Sequence, residues 1–346
     1  YDLSSSYFEG THCPLARLGH SRDGKKNTLQ VNYGLLTARN GCPVAVSVYA
    51  GNTADTSTLM PEVKQLREQF HLEHVVVVGD RGMISHKAIA ELREIEGLGW
   101  ITALKSGQIR SLIEGETLQL GLFDERNLME IAHPDYPGER LIACRNPELA
   151  KLRAHKRHSL LEATQKELQK VRASVTAGRL RGKEKIGVRV GRVVNKYKVA
   201  KHFELSIEER GFEFKILEDQ VAAEAALDGL YVIRTNLPKK QLSAPDTVRS
   251  YKGLCEVERA FRSLKTVDLK IRPIHHRLED RVRAHIFLCM LAYYVEWHMK
   301  EAWRELLFAD EDLEAKQHRD PVAPAKRSPA ALQKITERTL EDGSPV

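Results

Sequence analysis

The sequence predicts an α/β fold, and three observations within its first 105 residues predict it. Two β-rich runs, residues 31–37 and 44–49, flank the turn signal Arg39-Asn40-Gly41 and predict a hairpin. The run Val75–Val78 is continuously apolar, which is typical of a central strand buried on both faces. Helix-forming segments stand on either side of this run. The alternation of strands and helices is the pattern of an α/β protein.

The order of the elements narrows the fold class. Residues 1–8 predict a strand beside the hairpin, and residues 51–56 predict a loop that caps a helix ending near Phe70. After the apolar strand, we expect a helix over residues 85–95 and a strand over residues 100–104. Three adjacent strands followed by helix, strand, helix and strand is the order of an RNase H-like sheet. We therefore expect a mixed five-stranded sheet with flanking helices.

From residue 106 onward the pattern changes. The expected elements are short strands within 106–145, a helix over 147–176, a hairpin over 202–216, a strand over 230–235, and helices from Thr247 and over 280–308. We interpret residues 1–105 and 229–308 as two parts of one domain, separated by a large basic α+β insertion of residues 106–228. Residues 309–346 are polar and contain proline, which predicts a loosely held tail.

Positive charge is concentrated in residues 151–201, here called the basic segment. It contains sixteen Lys and Arg and three Glu, a net charge of +13, so the remainder of the +7 chain carries −6. One interpretation is a solvated helical face. The other is a surface for nucleic acid, because phosphate neutralisation supplies most non-specific affinity. On the second interpretation, Lys183, Lys185 and Arg189 are candidate DNA-binding residues.

Other features of the sequence exclude several classes of protein. The five cysteines are dispersed and lack zinc spacing, so we expect reduced thiols in a cytosolic protein. The apolar run 286–295 is ten residues long, which predicts a buried helix and no membrane span, and no signal peptide is recognisable. The chain opens at Tyr1 directly in strand-like sequence, and we expect that it lacks an N-terminal part.

An ordered row of polar side chains lies within residues 251–265. At 3.6 residues per turn, one helical face carries Tyr251, Leu254, Glu258, Arg262 and Lys265. A phenol, a carboxylate and two cations beside an apolar edge are more ordered than the charges of a typical solvated face. A carboxylate that holds a divalent metal, flanked by groups that hold phosphate, fits this row. For Arg262, a salt bridge to Glu258 is the alternative.

Two more carboxylates are candidates for the same site. Asp80 follows the apolar strand at the C-terminal edge of the sheet, where α/β proteins place their sites, although a cap or turn role is the alternative. Asp2 lies within the first predicted strand, and its alternative is a surface aspartate. If Asp2, Asp80 and Glu258 converge, they would repel one another unless cations intervene. Hard oxygen ligands of this kind suit Mg²⁺ or Mn²⁺.

The spacing Tyr251-x2-Leu254-x3-Glu258-x6-Lys265 resembles the YREK signature of insertion-sequence DDE transposases. Leu254 stands where that family usually has arginine, and Arg262 lies one turn from Glu258 in a position to substitute for it. The contexts of the two aspartates, the insertion and the signature helix also occur in the family's order. The resemblance covers nearly the whole chain.

The resemblance implies an RNase H-like fold in which Asp2, Asp80 and Glu258 are the catalytic residues and metal ligands. It also implies that Tyr251 and Lys265 contact DNA. The implied cofactor is Mg²⁺, as two ions for which Mn²⁺ substitutes. Family members carry an N-terminal domain that binds the element's terminal repeats, and the expectation here is that this domain is absent.

The function implied is DNA transposition: hydrolysis of a phosphodiester at the element's end, then attack of the freed 3′-OH on target DNA. The implied partners are double-stranded DNA (the terminal inverted repeats and the target) and a second copy of the chain in a homodimer. The implied location is the prokaryotic cytoplasm, associated with the nucleoid and without a membrane. Two alternatives remain, a structure-specific RNase H-like nuclease without strand transfer and a non-catalytic, domesticated DNA-binding protein.

Overall fold

The computed structural model describes residues 1–115, 118, 123–124, 127–307, 320–322, 329 and 332–333. Within these residues the strands are β1 (Asp2–Tyr7), β2 (Gln30–Thr37), β3 (Pro43–Ala50), β4 (Val75–Val78), β5 (Leu98–Ala103), β6 (Leu128–Ile131), β7 (Arg140–Arg145), β8 (Phe203–Ile207), β9 (Phe212–Ile216) and β10 (Leu230–Thr235). The α-helices are α1 (Leu59–Phe70), α2 (His86–Arg93), α3 (Ser106–Glu114), α4 (Pro147–Thr176), α5 (Lys183–Tyr197), α6 (Glu218–Ala225), α7 (Ala244–Lys252), α8 (Leu254–Arg262), α9 (Glu279–Ala302) and α10 (Arg304–Leu307).

The chain divides into two compact units. The first unit comprises Tyr1–Lys105, Thr117–Ala143 and Val232–Val346, and the second comprises Ser106–Glu116 and Cys144–Tyr231. The insertion expected over residues 106–228 is therefore shared between them. The part Thr117–Ala143 belongs to the first unit, because β6 and most of β7 add to that unit's larger sheet.

The strands of the first unit form two sheets. In the smaller sheet β1, β2 and β3 are antiparallel neighbours, and the register places Asp2 opposite Leu35. The larger sheet has five strands in the spatial order β4-β5-β10-β7-β6. It is mixed, because β4 runs parallel to β5 and β10 runs antiparallel to it. The predicted α/β fold, with a five-stranded mixed sheet and flanking helices, is confirmed.

The membership of the larger sheet differs from the expectation, and β4 is not a central strand. It lies at one edge of the ladder, and Val76 is 42% exposed. The backbone ammonium nitrogen of Tyr1 donates to the carbonyl of Val78 at 3.2 Å, which brings the start of β1 beside the end of β4. A run of four valines contains no alternation, so its sequence does not indicate that one face meets solvent.

Two helices also differ from the expectation. Residues 106–114 form α3 where short strands were expected, because Ile109 and Leu112 are buried at helical spacing. Helix α9 was expected to be buried, yet it buries one face only. Its apolar residues on the exposed side include Phe287, Leu288, Leu291, Tyr294 and Val295. A helix that is apolar all round does not reveal its buried face from sequence.

The core of the first unit has two clusters. In one, Val257, Phe261 and Leu264 pack between the small sheet and α9, and the ring of Tyr33 meets that of Phe261 edge-on at 5.8 Å. The second cluster joins α1, α2 and β5, with Leu92 and Trp100 almost completely buried. The first of these clusters fixes the segment that carries the predicted signature, because the small sheet packs on one side of it and α9 on the other.

The second unit has its own core. Buried residues of α4, including Leu168, Val171 and Val175, meet those of α5, including Ile186 and Val190. The antiparallel hairpin β8–β9 packs on the same cluster through Phe203 and Phe212. The predicted helix over 147–176 and the predicted hairpin are confirmed. No helix of the described ranges is long and apolar enough to cross a membrane.

Candidate active site

Asp80 lies directly after Gly79 at the end of β4, and its carboxylate shapes the turn that follows. Its Oδ1 accepts hydrogen bonds from the backbone N–H groups of Gly82 (2.9 Å) and Met83 (2.7 Å). The residue is exposed, and Gly82 approaches so closely that a Cβ there would lie 3.3 Å from Oδ1. Both hydrogen bonds use one carboxylate oxygen, so Oδ2 can bind a ligand. Asp80 therefore has the turn role that was considered as its alternative. It also presents a carboxylate oxygen that these two hydrogen bonds do not use.

Asp2 occupies the first position of β1, where it is half-buried. The backbone N–H of Leu3 donates to its Oδ1 at 2.8 Å. Burial is the main cause that raises the pKa of Asp2 to about 6, and the negative charge of Asp80 raises it further. The charge of Arg22 acts in the opposite direction. Asp2 is thus a partly buried carboxylate close to a second one, not an isolated surface aspartate.

Glu258 is exposed on α8, and Tyr251 connects it with the aspartates. The phenol of Tyr251 has a raised pKa, mainly because it is buried and also because Asp80 and Glu258 are close. Asp80 therefore acts electrostatically on both Asp2 and Tyr251, and Glu258 acts on the same phenol. These effects link Asp2 electrostatically to Asp80, and they link both Asp80 and Glu258 to Tyr251.

The donor set suits a hard divalent cation, because it consists of carboxylate oxygens and leaves Asp2 with an anionic neighbour. Yet no group of three His, Cys, Asp or Glu in the described part of the chain is gathered closely enough to hold a metal ion. Asp2, Asp80 and Glu258 therefore do not form a ligand cluster in this structure, although carboxylate oxygens are the ligands that Mg²⁺ or Mn²⁺ prefers.

The signature segment is not one regular helix. Helix α7 ends at Lys252, Gly253 forms a turn, and α8 begins at Leu254. After Arg262 the backbone widens into a π-helix, Ser263–Val267, which rotates Lys265 away from the stripe that an ideal α-helix would give. Tyr251, Glu258 and Lys265 thus lie on three successive pieces of helix.

The two cations of the signature have different surroundings. Arg262 is exposed, and no ion pair joins it to Glu258 among the residues that the structure describes, so the salt bridge considered for it is not formed. Lys265 is largely buried, with its side chain 10% exposed, and its Nζ lies 3.1 Å from Oδ1 of Asp23. Burial is the main cause that lowers the pKa of Lys265, and Asp23 partly compensates.

The loop between β1 and β2 contributes residues that the sequence did not single out as functional. The side chain of Arg22 pairs with Asp55 at 2.5 Å, and its charge acts on Asp2. Asp23 has a side chain that is 1% exposed. An Arg-Asp-Gly turn is polar, and nothing in its sequence indicates that it is buried.

The predicted DNA-binding residues of the basic segment lie on α5. Lys183, Lys185 and Arg189 are exposed, whereas Ile186 and Val190 of the same helix are buried. None of the three takes part in an ion pair within the described ranges, although other cations of the segment do, such as Arg157 with Asp228 at 2.5 Å. Their charges are available to a partner.

The family described as transposase DDE domain matches residues 15–295, most of the chain. The chain belongs to this DDE transposase family. The matched range contains Asp80 and the whole signature segment, whereas Asp2 precedes it. The sequence-based identification of a DDE transposase is confirmed at the level of this family.

No curated protein matches the chain. One similar solved structure is a cryo-EM structure of a piggyBac transposase synaptic complex with hairpin DNA, at 8% identity and a TM-score of 0.38. That match covers 99% of this chain and 59% of the other, so this chain spans little more than half of the other's length.

Proposed function

We propose that this chain is the catalytic region of a transposase that hydrolyses a phosphodiester at the end of a mobile element. The freed 3′-OH then attacks target DNA. The observation that carries the proposal is the electrostatic link of Asp80 with Asp2 on one side and with Tyr251 and Glu258 on the other, in a chain of the DDE transposase family. We assign the chain to the YREK-type subgroup on the spacing of its signature.

In this proposal Asp2, Asp80 and Glu258 would hold two Mg²⁺ ions, for which Mn²⁺ would substitute. A divalent cation supplies Lewis-acid stabilisation of the charge that develops on phosphate oxygens during transfer. The residues support that role in two ways. Asp80 keeps one carboxylate oxygen for its turn and has a second for a ligand. Asp2 is destabilised as an anion by burial and by Asp80, and a bound cation would relieve that cost.

The residues around the carboxylates would position DNA. The phenol of Tyr251 is protonated at neutral pH, as that of an ordinary tyrosine is, and burial raises its pKa further, so its O–H can donate to a phosphate oxygen. Arg262 is exposed and forms no ion pair with Glu258. It would hold a phosphate in place of the arginine that the family has at the position of Leu254. Lys265 uses one N–H on Asp23 and retains two more donors for a phosphate.

The basic segment would bind the DNA backbone through Lys183, Lys185 and Arg189. Their exposure on α5 supports this role, because cations that are not paired within the protein release counterions when they meet phosphate. The proposed DNA partners are the terminal inverted repeats and the target. We also propose that two copies of the chain form a homodimer, which holds the two ends of the element together.

A strand-transfer assay tests the proposal. Duplex oligonucleotides from the two boundaries of the DNA segment that encodes the chain, with pre-cleaved 3′-OH ends, are incubated with plasmid target and Mg²⁺. We expect joined products that require Asp80 and that persist with Mn²⁺. Nicking without joining would support the alternative structure-specific nuclease. DNA binding without nicking or joining would support a non-catalytic DNA-binding protein.

A further inference from the structure

A buried carboxylate outside the predicted triad accepts three hydrogen bonds. Asp23 lies in the loop between β1 and β2, and its Oδ2 accepts from the backbone N–H of Tyr7 at 2.9 Å. Its Oδ1 accepts from Nζ of Lys265 at 3.1 Å and from Nη1 of Arg272. The carboxylate thus joins the end of β1, the π-helix and the segment that follows the π-helix.

The charges around Asp23 do not balance. One negative charge faces Lys265 and Arg272, and both cations share the same carboxylate oxygen. Removing the carboxylate would leave a lysine that is 10% exposed beside an arginine with no anion between them. An unpaired charge in such a position is costly, so a lysine there loses its proton more easily.

We propose that Asp23 is a positioning residue for Lys265, which it holds in place and keeps charged for contact with a DNA phosphate. Lys265 lies within the π-helix, and its Nζ donates to Asp23 of the β1–β2 loop. The role in DNA contact rests on the proposed function. The ion pair itself does not.

The groups that act on Lys265 come from two elements. The β1–β2 loop contributes Asp23, which raises the pKa of Lys265, and Arg22, which lowers it. The segment after the π-helix contributes Arg272, which lowers it. Helix α9 also packs on the π-helix, but its Glu296 accepts from Ser263 Oγ at 3.0 Å.

These surroundings give two substitutions with opposite effects. Asp23→Asn removes the attraction, so the pKa of Lys265 should fall and its charge should be lost at a lower pH than in the wild type. Arg272→Gln removes a repulsion and leaves Asp23 in place, so the pKa of Lys265 should rise. A general loosening of the fold would not produce two shifts of opposite sign.

The experiment measures the acetylation of each lysine by competitive labelling with acetic anhydride across a pH series, followed by mass spectrometry of peptides. It uses the whole chain without DNA. In Asp23→Asn we expect the uncharged fraction of Lys265 at a fixed pH to rise by about tenfold or more. In Arg272→Gln we expect that fraction to fall. Asp23→Glu, which keeps the charge, should restore most of the wild-type titration.

A matched control is Glu139, another buried carboxylate of the first unit that pairs with two arginines, Arg93 and Arg234. Glu139→Gln should destabilise the fold comparably and leave the titration of Lys265 unchanged. An unchanged titration of Lys265 in both Asp23→Asn and Arg272→Gln would overturn the proposal. If Asp23→Asn does not fold, the direction of the shift in Arg272→Gln decides.

A second measurement, with DNA, separates this proposal from the proposed function. Strand joining by Asp23→Asn should decline at a lower pH than joining by the wild type, whereas Glu139→Gln should keep the wild-type pH profile. If Asp23→Asn and Arg272→Gln shift the titration of Lys265 as expected but the wild-type chain joins no DNA, the proposed function is disproved and the ion-pair role stands. Normal joining by Asp23→Asn at every pH would overturn the positioning role.

Discussion

Asp80 depends on the glycine that lies two positions after it. A Cβ on Gly82 would lie 3.3 Å from Oδ1 and 3.5 Å from Oδ2 of Asp80, so a side chain there must displace the carboxylate. We predict that Gly82→Val lowers single-turnover DNA cleavage by about tenfold or more, because small displacements of reacting groups are costly. Gly107→Val is the control for added bulk, since Gly107 has open space around it. Wild-type cleavage by Gly82→Val would mean that the carboxylate needs no fixed position.

We predict that Lys265 contributes to DNA cleavage and not to binding of the divalent metal. It is seven positions from Glu258 and is paired with Asp23. Lys265→Ala should slow cleavage by roughly a hundredfold, the scale on which loss of one electrostatic group acts, and leave Mn²⁺ binding measurable. Lys265→Arg keeps the charge with a different reach, so we expect partial rescue. Loss of Mn²⁺ binding in Lys265→Ala would show that the lysine maintains the helix instead of holding the substrate.

Single residues were predictable where the sequence contained a spacing or a boundary. Asp80 follows an apolar run, and Glu258 stands at fixed distances from Tyr251 and Lys265, so their candidacy could be read without a structure. Asp23 could not, because its importance arises from burial and from a partner 242 positions away. The placement of a polar loop inside the fold is a tertiary effect.

The signature segment shows the same limit at the scale of elements. Its helical character was predicted, but its division at Gly253 and its π-helix were not. The division at Gly253 does not depend on a backbone conformation that only glycine adopts, because its φ of −58° is in the right-handed helical range. The hydroxyl of Ser263, the first residue of the π-helix, donates to Asp268 (2.6 Å) and Glu296 (3.0 Å), and Glu296 lies on α9. A local periodicity cannot include a partner on a distant helix.

The pairing of α4 with α5 makes a prediction about stability. Leu168 is fully buried between them, so Leu168→Ala should cost about 2–5 kcal/mol of the free energy of unfolding. The neighbouring Lys166 is exposed, and Lys166→Ala should cost little. Chemical denaturation followed by circular dichroism measures both. Equal losses in the two variants would contradict the packing of this helical pair.

Charge is distributed unevenly over the whole molecule, because the basic segment carries a net +13 and the remainder of the chain −6. Reversing Lys183, Lys185 and Arg189 to Glu should weaken binding to unrelated duplexes and to element ends alike. The slope of log affinity against log salt should also flatten by about 0.9 for each DNA phosphate that the variant no longer neutralises.

The control for this reversal changes three exposed lysines of the first unit, Lys64, Lys87 and Lys240, to Glu. The change in net charge is the same, so a purely global effect of charge would flatten both slopes equally. An unchanged slope in the basic-segment variant would return that surface to a solvated helical face.

At the scale of the whole chain, the α/β class and the order of its elements were predictable because hydrophobic period and turn residues are local. The composition of the sheets was not. The distribution of residues 106–143 between the two units depends on β6 and β7 joining the larger sheet, a long-range pairing. The sequence likewise did not indicate which side of α9 is exposed, because its apolar residues are found all round the helix.

The central claim is that Asp2, Asp80 and Glu258 act together as one metal site. Calorimetric titration of Mn²⁺ into the whole chain with duplex DNA tests it most directly. We predict that Asp2→Asn, Asp80→Asn and Glu258→Gln each weaken Mn²⁺ binding by about 10–100-fold, while Glu256→Gln, on the same helix and paired with Arg259, binds as the wild type does. Wild-type Mn²⁺ affinity in all three carboxylate variants would contradict the claim.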